Sequence, residues 1–527
     1  MSDICYADIH EIHRLYQNKR LTVRELVTAY LTRIAKIDKC ANGLNSVLEI
    51  NPDALFIAES LDAQLRRGAE MTPLFGIPIL LKDNINTNDR LHTSAGSVAL
   101  ADNYAPYDAH IAGLLRRAGA VILGKANMTE FANYMAYDKM PSGYSSRGGQ
   151  VINPHNREVT PSGSSSGSAV AVAAGLCTVS IGTETSGSIV SPAGYNGIVG
   201  IKPTLGLVGR SGIIPISSMF DTAGPMARTV RDAAILLGAI SGADPSDPAT
   251  HCLYGAPSAA CPTPSDCCPS TSAACPTPPD CCPSPSTACP TPPAFPTPSA
   301  ACSSPSADYE ACLDPDGLKG ARIGLNNSFR YGEVELKGDA KEAYDNLLQT
   351  LSDAGAVLVE NVDMETKYEM GDVMHSEFKA CMNYYLSTLG KRSKLKTLGD
   401  IIAYNQANAP TALKYGQSVL LDAQNTKSGN LTEPKYLEAL ADRERTIAEL
   451  DRLFDDNKID VLLCQSISNV APFTGFPSMT IPTGLRKDKL PTDSYWIARR
   501  FDEATLLKIT YAAEQRLGLQ LRPELPL

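Results

Sequence analysis

The hydrophobic and polar positions of this 527-residue chain follow helix-like and strand-like patterns in turn along most of its length. Apolar residues recur at helical spacing over 25–38, directly after a capping box formed by Thr22 and Glu25. The short apolar run FGIPILL at 75–81 predicts a buried strand that ends just before Lys82. Helices and short buried strands in close succession are typical of α/β proteins.

Later segments repeat the same alternation. The pattern from Ala109 to Tyr134 predicts a helix, a strand and a second helix. The segment RDAAILLGAI at 231–240 predicts a helix, ARIGL at 321–325 predicts a strand, and 341–362 predicts a helix followed by a strand. We therefore expect an α/β fold: one large domain with a mixed central β-sheet covered by helices on both faces.

Cysteine and proline are concentrated in one part of the chain. Nine of the 15 Cys lie between Cys252 and Cys302, in a Pro-rich repeat that contains few large aliphatic residues. Such a segment cannot bury a core, and its adjacent Cys pairs do not match zinc-site spacing. We predict a disordered, low-complexity insertion at 251–305, which divides the domain into an N-terminal part with the catalytic core, 1–250, and a C-terminal part, 306–527. A metal or disulfide knot is the alternative interpretation.

Charge and targeting signals exclude several classes of protein. The net charge is −10, with 47 Lys and Arg against 57 Asp and Glu, so a nucleic-acid partner is not expected. The N-terminus shows no secretion signal, and no apolar run is long enough for a membrane span, which predicts a cytoplasmic protein. Dinucleotide and Walker motifs are absent and the spacing of His10 and His13 does not fit a zinc motif, so we expect neither a cofactor nor a metal.

The segment 161–204 is unusually rich in Ser and Gly, and three consecutive serines, 164–166, lie between Gly163 and Gly167. Its G-x-S-x-G pattern resembles the nucleophile elbow of α/β-hydrolases, but the polar residues before it are not a buried strand. Such an elbow also needs a His downstream; only His251 and His375 follow it, and none lies in the last ~150 residues, where that partner usually falls. A lysine kept neutral by burial can also activate a serine, and Lys82, at the end of an apolar run, is the candidate.

Seven segments together resemble the amidase signature hydrolases. The resemblance extends over essentially the whole chain apart from the Cys/Pro-rich insertion, and 142–156 is most similar to the peptide-amidase-like branch of that family. The matching segments are 76–87, 93–97, 114–131, 162–176, 182–204, 221–234 and 498–515.

The resemblance implies a mechanism and a set of site residues. It makes Ser188 the nucleophile that forms an acyl-enzyme, Ser164 a bridging serine with a cis peptide bond, and Lys82 the catalytic lysine. Ser165 occupies a supporting position. The implied oxyanion hole is formed by backbone N–H groups of Ser188 and of three preceding residues, Thr185, Ser186 and Gly187. Ser162, Ser166 and Ser186 are departures from the common family pattern, but they are small residues that we expect to preserve the geometry.

The implied reaction is hydrolysis of a carboxamide C–N bond to a carboxylate and ammonia or an amine, on a small-molecule or peptide amide substrate. Two alternatives stay open: a glutaminase-type subunit of a tRNA-dependent amidotransferase, and an interaction protein that uses the Cys/Pro repeat. We expect the acyl pocket within 365–480, including 378–390 and 464–477. The sequence identifies neither the amide nor the oligomeric state.

Overall fold

The computed structural model describes residues 3–137, 140–254, 308–326, 336–363 and 370–525. The predicted insertion at 251–305 lies outside these ranges except for its first four residues, which form a short helix, His251–Tyr254. Its role as an insertion between two parts of one domain stays a prediction.

The strands are short and mostly buried. In chain order they are β1 (Val47–Ile50), β2 (Pro78–Lys82), β3 (Val121–Ala126), β4 (Tyr144–Ser145), β5 (Gly149–Gln150), β6 (Val179–Glu184), β7 (Val199–Lys202), β8 (Thr222–Ala227), β9 (Arg322–Asn326), β10 (Val357–Val359), β11 (Val461–Cys464), β12 (Ser478–Leu485) and β13 (Pro491–Ala498).

An 11-stranded sheet forms the centre of the molecule, in the order β1-β3-β2-β6-β8-β7-β12-β13-β11-β9-β10. Strands β3, β2 and β6 are parallel neighbours, as are β11, β9 and β10, whereas the pairs between β6 and β11 are antiparallel. The mixed sheet predicted from the sequence is therefore confirmed. Because β7 pairs with β12, residues from both halves of the chain share this one sheet.

The helices surround this sheet. In chain order they are α1 (Ile9–Gln17), α2 (Val23–Arg33), α3 (Ala54–Arg66), α4 (His110–Arg117), α5 (Ser166–Ala173), α6 (Val190–Tyr195), α7 (Val230–Ile240), α8 (His251–Tyr254), α9 (Gly338–Asp353), α10 (Met370–Thr388), α11 (Leu398–Ala407), α12 (Ala409–Ala412), α13 (Ser418–Thr426), α14 (Pro434–Asn457), α15 (Val470–Thr474) and α16 (Glu503–Leu517). Short 3₁₀ turns lie at Asp3–Tyr6, Val98–Leu100, Glu130–Asn133, Pro248–Thr250, Glu310–Cys312 and Gly390–Arg392, and a π-helical turn at Ile34–Asp38.

Two groups of helices pack against the sheet. Helices α5 and α6 contact each other and the central strands. In the second group, α16 contacts both α7 and α9, and all three of these helices also contact strands of the sheet. Helix α5 can lie close to the sheet because all of its residues are small or β-branched, and all of them are buried. The helix-covered α/β architecture expected from the sequence is confirmed.

Most predicted elements form close to their expected positions. The capping box is present, with the Thr22 hydroxyl accepting from the Glu25 N–H at 3.1 Å, and it starts helix α2. Strand β2 starts at Pro78 instead of Phe75, because Gly76 adopts a positive φ of 71° and donates its N–H to the Gly119 carbonyl. The strand also extends one residue further than predicted, so that Lys82 is its last residue and not the residue after it.

One predicted helix is wrong. The pattern through Tyr134 predicted a helix after β3, but the structure has only the 3₁₀ turn Glu130–Asn133 there. Phe131, Ala132 and Asn133 all have positive φ, which is a left-handed conformation that no α-helix continues. The turn is held instead by tertiary contacts, in which Phe131 N–H donates to the Ala95 carbonyl and the Glu130 carboxylate accepts from Ser146.

Candidate active site

Lys82 brings an amine into the interior at the end of strand β2. Its side chain is fully buried, and Nζ lies 2.8 Å from Ser164 Oγ and donates to the Thr183 carbonyl at 2.9 Å. Burial penalises the ammonium form and lowers the pKa of Lys82 to about 7, although the carboxylates of Glu184 and Asp221 act in the opposite direction. At neutral pH a large fraction of this lysine is therefore an uncharged amine that can accept a proton.

The serine cluster lies directly against this amine. The Gly163–Ser164 peptide bond is cis, as the resemblance implied, and the Ser164 carbonyl accepts from the Thr129 N–H at 3.1 Å. A Cβ on Gly163 would lie 2.4 Å from Thr129 Oγ1, so only glycine fits at this close approach. Ser165 Oγ donates to the Thr183 carbonyl at 3.1 Å. The carbonyl of Thr183 therefore joins Lys82 and Ser165.

Ser188 lies on the turn between strand β6 and helix α6. The turn reverses the chain at Gly187, whose φ of 79° suits glycine, and the Ser165 N–H donates to the Ser188 carbonyl at 3.2 Å. Ser188 is 8% exposed, and its hydroxyl forms no hydrogen bond with any residue that the structure describes. The nucleophile expected from the resemblance therefore lies beside the serine cluster with its hydroxyl uncommitted.

The backbone N–H groups of the same turn are oriented by a carboxylate. Glu184, the last residue of β6, is 1% exposed and accepts from the N–H groups of Ile189 at 2.7 Å and Val190 at 3.2 Å. The N–H groups of Gly187 and Ser188 have no acceptor within the described parts of the chain. Thus the turn offers unpaired backbone donors next to Ser188, which is the arrangement that an oxyanion requires.

Asp221 was not singled out from the sequence, although it begins one of the matching segments, 221–234. Its carboxylate accepts from Thr185 Oγ1 at 2.6 Å and from the N–H groups of Ile216 at 2.7 Å and Ser217 at 3.0 Å. Burial raises its pKa to about 6. Asp221 therefore ties the start of the Ser188 turn to the loop 210–221.

A cavity of about 650 Å³ opens beside this turn. Its lining includes Thr183, Glu184 and Thr185 together with apolar side chains of the loop 210–221. One face of helix α10 forms a second wall, to which it contributes Cys381, Tyr384, Tyr385 and Thr388. This face lies within the segment 378–390 in which the sequence predicted an acyl pocket. The other predicted segment, 464–477, does not line the cavity, although Asn469 accepts from Ser186 Oγ at 2.9 Å.

Helix α10 is held against the loop 210–221 by a buried carboxylate. Glu377 is fully buried and accepts from Ser217 Oγ at 2.5 Å, from Ser218 Oγ at 3.1 Å and from Tyr436 OH at 2.9 Å. No sequence pattern indicated the contact with Ser217, since this partner lies 160 residues away along the chain. It fixes the distance between the two walls of the cavity.

A second buried lysine lies on the neighbouring strand. Lys125 Nζ donates to the Ile85 carbonyl at 2.5 Å and to Thr93 Oγ1 at 2.8 Å, and burial lowers its pKa to about 8. Asp83, next to Lys82, accepts from the Gly96 N–H at 3.0 Å. These contacts hold the segment 83–96, which directly follows Lys82, against strand β3.

Neither a metal site nor a membrane span is found within the described ranges. They contain no group of three or more His, Cys, Asp or Glu side chains that could hold a metal ion. None of their helices combines the length and the apolar character needed to cross a bilayer.

Comparison with known proteins agrees with this architecture. The family described as Amidase matches residues 25–265. A probable amidase from Arabidopsis thaliana is 35% identical, with 98% of this chain and 91% of the relative covered. A glutamyl-tRNA(Gln) amidotransferase subunit from Alkaliphilus metalliredigens is 31% identical, over 97% of this chain and 96% of the relative.

Among solved structures, the native peptide amidase from Stenotrophomonas maltophilia superposes with a TM-score of 0.82 at 36% identity, covering 99% of both chains. The sequence, the fold and these similarities lead to one conclusion: the chain belongs to the amidase family and is an amide-hydrolysing enzyme.

Proposed function

We propose that the chain hydrolyses carboxamides through Lys82, Ser164 and Ser188, by way of an acyl-enzyme on Ser188. One observation carries this proposal: a fully buried lysine, with its pKa lowered to about 7, lies 2.8 Å from a serine hydroxyl in the segment that also contacts Ser188. Burying an amine is costly, and a neutral amine next to a hydroxyl can serve as a general base.

The contacts of Lys82 and the place of Ser188 beside the serine cluster support the following first chemical step. Ser188 Oγ attacks the carbonyl carbon while its proton passes to Ser164 Oγ, whose own proton passes to Lys82 Nζ. One N–H of Lys82 is held by the Thr183 carbonyl at 2.9 Å, and this contact orients the nitrogen toward Ser164. The electron pair of the carbonyl moves onto oxygen, which takes hydrogen bonds from the N–H groups of 185–188.

The relay then runs in reverse. Lys82 returns a proton through Ser164 to the leaving nitrogen, the C–N bond breaks, and ammonia or an amine departs. The acyl group stays on Ser188 until water attacks the ester carbonyl, with the same relay removing the proton of that water. Release of the carboxylate restores the Ser188 hydroxyl. Ser165 supports the relay by binding the Thr183 carbonyl.

The substrate that the cavity supports is a small-molecule or peptide carboxamide. Its walls combine the buried isoleucines Ile213, Ile214 and Ile216 with the aromatic rings of Tyr384 and Tyr385. Such a lining suits an apolar acyl group that extends from the reacting carbonyl. The similarity to a peptide amidase supports peptide amides as a class to test first.

The glutaminase alternative is less well supported by the cavity. Glutamine carries a free α-carboxylate that needs a cationic partner. Arg210 is the one Lys or Arg that lines the cavity among the described residues, and its Nε and Nη2 already donate to Asp247, both at 2.7 Å. Activity of the purified chain on simple amides, with no second subunit, would separate the two functions. A cytoplasmic location and the absence of a nucleic-acid partner stay predictions from the sequence.

The nucleophile can be tested by intact-mass analysis with a serine-reactive acyl or phosphonyl probe. We expect wild type to gain one adduct, and Ser188→Ala to gain none and to lose amidase activity by at least about 10³-fold. Ser218→Ala is the matched control, because Ser218 also lines the cavity and is not part of the proposed relay. A Ser188→Ala protein that still takes the label would refute the assignment.

A further inference from the structure

The charged groups around the cavity are unevenly balanced. Its lining contains one guanidinium, that of Arg210, against the five carboxylates of Asp108, Glu184, Asp221, Asp244 and Asp247. Two of these carboxylates are neutralised, because Asp108 pairs with Arg116 at 3.0 Å and Asp247 pairs with Arg210 at 2.7 Å.

The other three carboxylates have hydrogen-bond donors but no Lys or Arg partner within ion-pair distance in the described chain. Glu184 and Asp221 accept from the backbone N–H groups and the hydroxyl described above. Asp244 accepts from the Ser211 N–H at 3.0 Å, from Ser211 Oγ at 2.6 Å and from the Ser246 N–H at 3.0 Å. Hydrogen bonds stabilise a carboxylate but leave its negative charge in place.

The cations that could offset this charge are not available to a ligand. Besides its pair with Asp247, Arg210 donates Nη1 to the carbonyls of Ser218 at 2.6 Å and Asp221 at 3.2 Å. His110 lies 3.9 Å from Asp244, but burial lowers the pKa of its imidazole below the ordinary value of 6.5. The ring is therefore uncharged at about pH 7 and above. Lys82 is likewise uncharged when it acts as a base.

We infer that this cavity selects carboxamides whose acyl part is neutral or cationic and rejects those that carry a carboxylate near the reacting carbonyl. The inference rests on the proposed function and names its substrate class. A second negative charge in a cavity with low-dielectric walls is repelled by Glu184, Asp221 and Asp244, and no cation of the described lining is free to bind it. The same repulsion promotes release of the product, since hydrolysis turns a neutral amide into a carboxylate.

A matched substrate series tests the inference. The neutral members are N-acetyl-phenylalaninamide and the methyl ester of N-succinyl-phenylalaninamide. The cationic member is N-(trimethylglycyl)-phenylalaninamide, whose quaternary ammonium is charged at every pH, and the anionic member is N-succinyl-phenylalaninamide. At about pH 8 the succinyl carboxylate is ionised. We expect kcat/KM for the anionic amide to be at least about 10-fold below kcat/KM for its methyl ester. The cationic amide should react at least as well as the N-acetyl amide.

A variant and a salt series identify the origin of the discrimination. Asp244→Asn should decrease the ratio of kcat/KM for the methyl ester to kcat/KM for the anionic amide by about 3-fold or more. Asp316 is an exposed carboxylate outside the cavity, so Asp316→Asn should leave this ratio unchanged. If Asp244→Asn does not fold, wild type still gives the answer: raising NaCl from about 0.02 M to about 0.5 M should narrow the same ratio.

Failure of the charge selection can be distinguished from failure of the proposed amide hydrolysis. Equal turnover of the N-succinyl amide and its methyl ester would overturn the charge selection while leaving amide hydrolysis intact. No turnover of any neutral member would contradict the proposed function itself, and the inference would fall with it.

Discussion

At the end of strand β2, the fold places a lysine where its charged form is costly. Lys82 is fully buried, and burial lowers the pKa of its amine to about 7. In the proposed relay the neutral amine accepts a proton from Ser164, so deprotonation of Lys82 should activate the enzyme. The same lysine at the surface would be protonated at neutral pH and unable to act as a base.

The dependence of kcat/KM on pH tests whether Lys82 is the base. We expect kcat/KM for a neutral amide to rise with pH through an acid limb near pH 7, because protonated Lys82 is inactive below its pKa. Lys82→Ala should lose about 10²–10⁴-fold in rate and also lose this limb. The limb is measured as kcat/KM between about pH 5 and pH 9.

Glu130 provides the control for this profile, since burial raises the pKa of its carboxyl to about 7 as well. Glu130→Gln should keep the acid limb if Lys82 is the titrating base. Disappearance of the limb in Glu130→Gln, or its persistence in Lys82→Ala, would assign the titration to another group.

At the scale of elements, strand β6 and helix α6 flank the turn that carries the proposed nucleophile Ser188. The strand ends at Glu184, whose carboxylate binds two N–H groups at the start of α6 and so holds the intervening turn 185–188 in place. The same carboxylate raises the pKa of Lys82, opposing the larger effect of burial. In the proposed mechanism Glu184 is therefore a positioning residue that also raises the pKa of the base.

Glu184→Gln separates these two effects. The glutamine retains an acceptor for the N–H groups but removes the charge, so the pKa of Lys82 should fall and the acid limb should move to lower pH. Glu184→Ala should also lose the hydrogen bonds and decrease kcat by about 10–100-fold. A purely structural role would lower activity in both variants without shifting the pH profile.

A matched control is Glu503→Gln. Glu503 is a fully buried carboxylate near Lys202 and does not contribute to the pKa of Lys82. The acid limb of kcat/KM for Glu503→Gln should therefore coincide with that of wild type.

At the scale of the whole molecule, the two halves of the chain share one sheet. Strand β7, from the first half, pairs with β12, from the second, and the proposed relay and the described lining of the cavity come from ranges on either side of 255–307. The three residues of the proposed relay, Lys82, Ser164 and Ser188, all lie outside the Cys/Pro repeat.

Replacing 255–307 by a flexible Gly/Ser linker should leave kcat/KM for a neutral amide within about 3-fold of wild type and preserve the urea midpoint, because no described contact of the sheet is removed. The measurements are amide turnover and equilibrium unfolding, with the full chain alongside. Loss of turnover, or loss of a partner that co-purifies with the full chain, would support the alternative in which the repeat has a role of its own.

Local patterns predicted much of the fold correctly. The Thr22 capping box, helix α7 and strand β9 depend on residues close in sequence, and they form as expected. The predicted helix after β3 failed because the left-handed turn at Phe131 depends on contacts with Ala95 and Ser146, which periodicity does not detect.

By itself, the sequence determined the α/β alternation, the family resemblance and the candidates Lys82, Ser164 and Ser188, since these depend on local spacing and on side-chain chemistry. Only the tertiary structure decided the order of the strands, the closure of the cavity by α10 and the roles in orientation of Glu184 and Asp221. The physical reason is separation along the chain: Glu377 meets Ser217 across 160 residues, and a hydrogen bond between such distant residues leaves no periodic trace in the sequence.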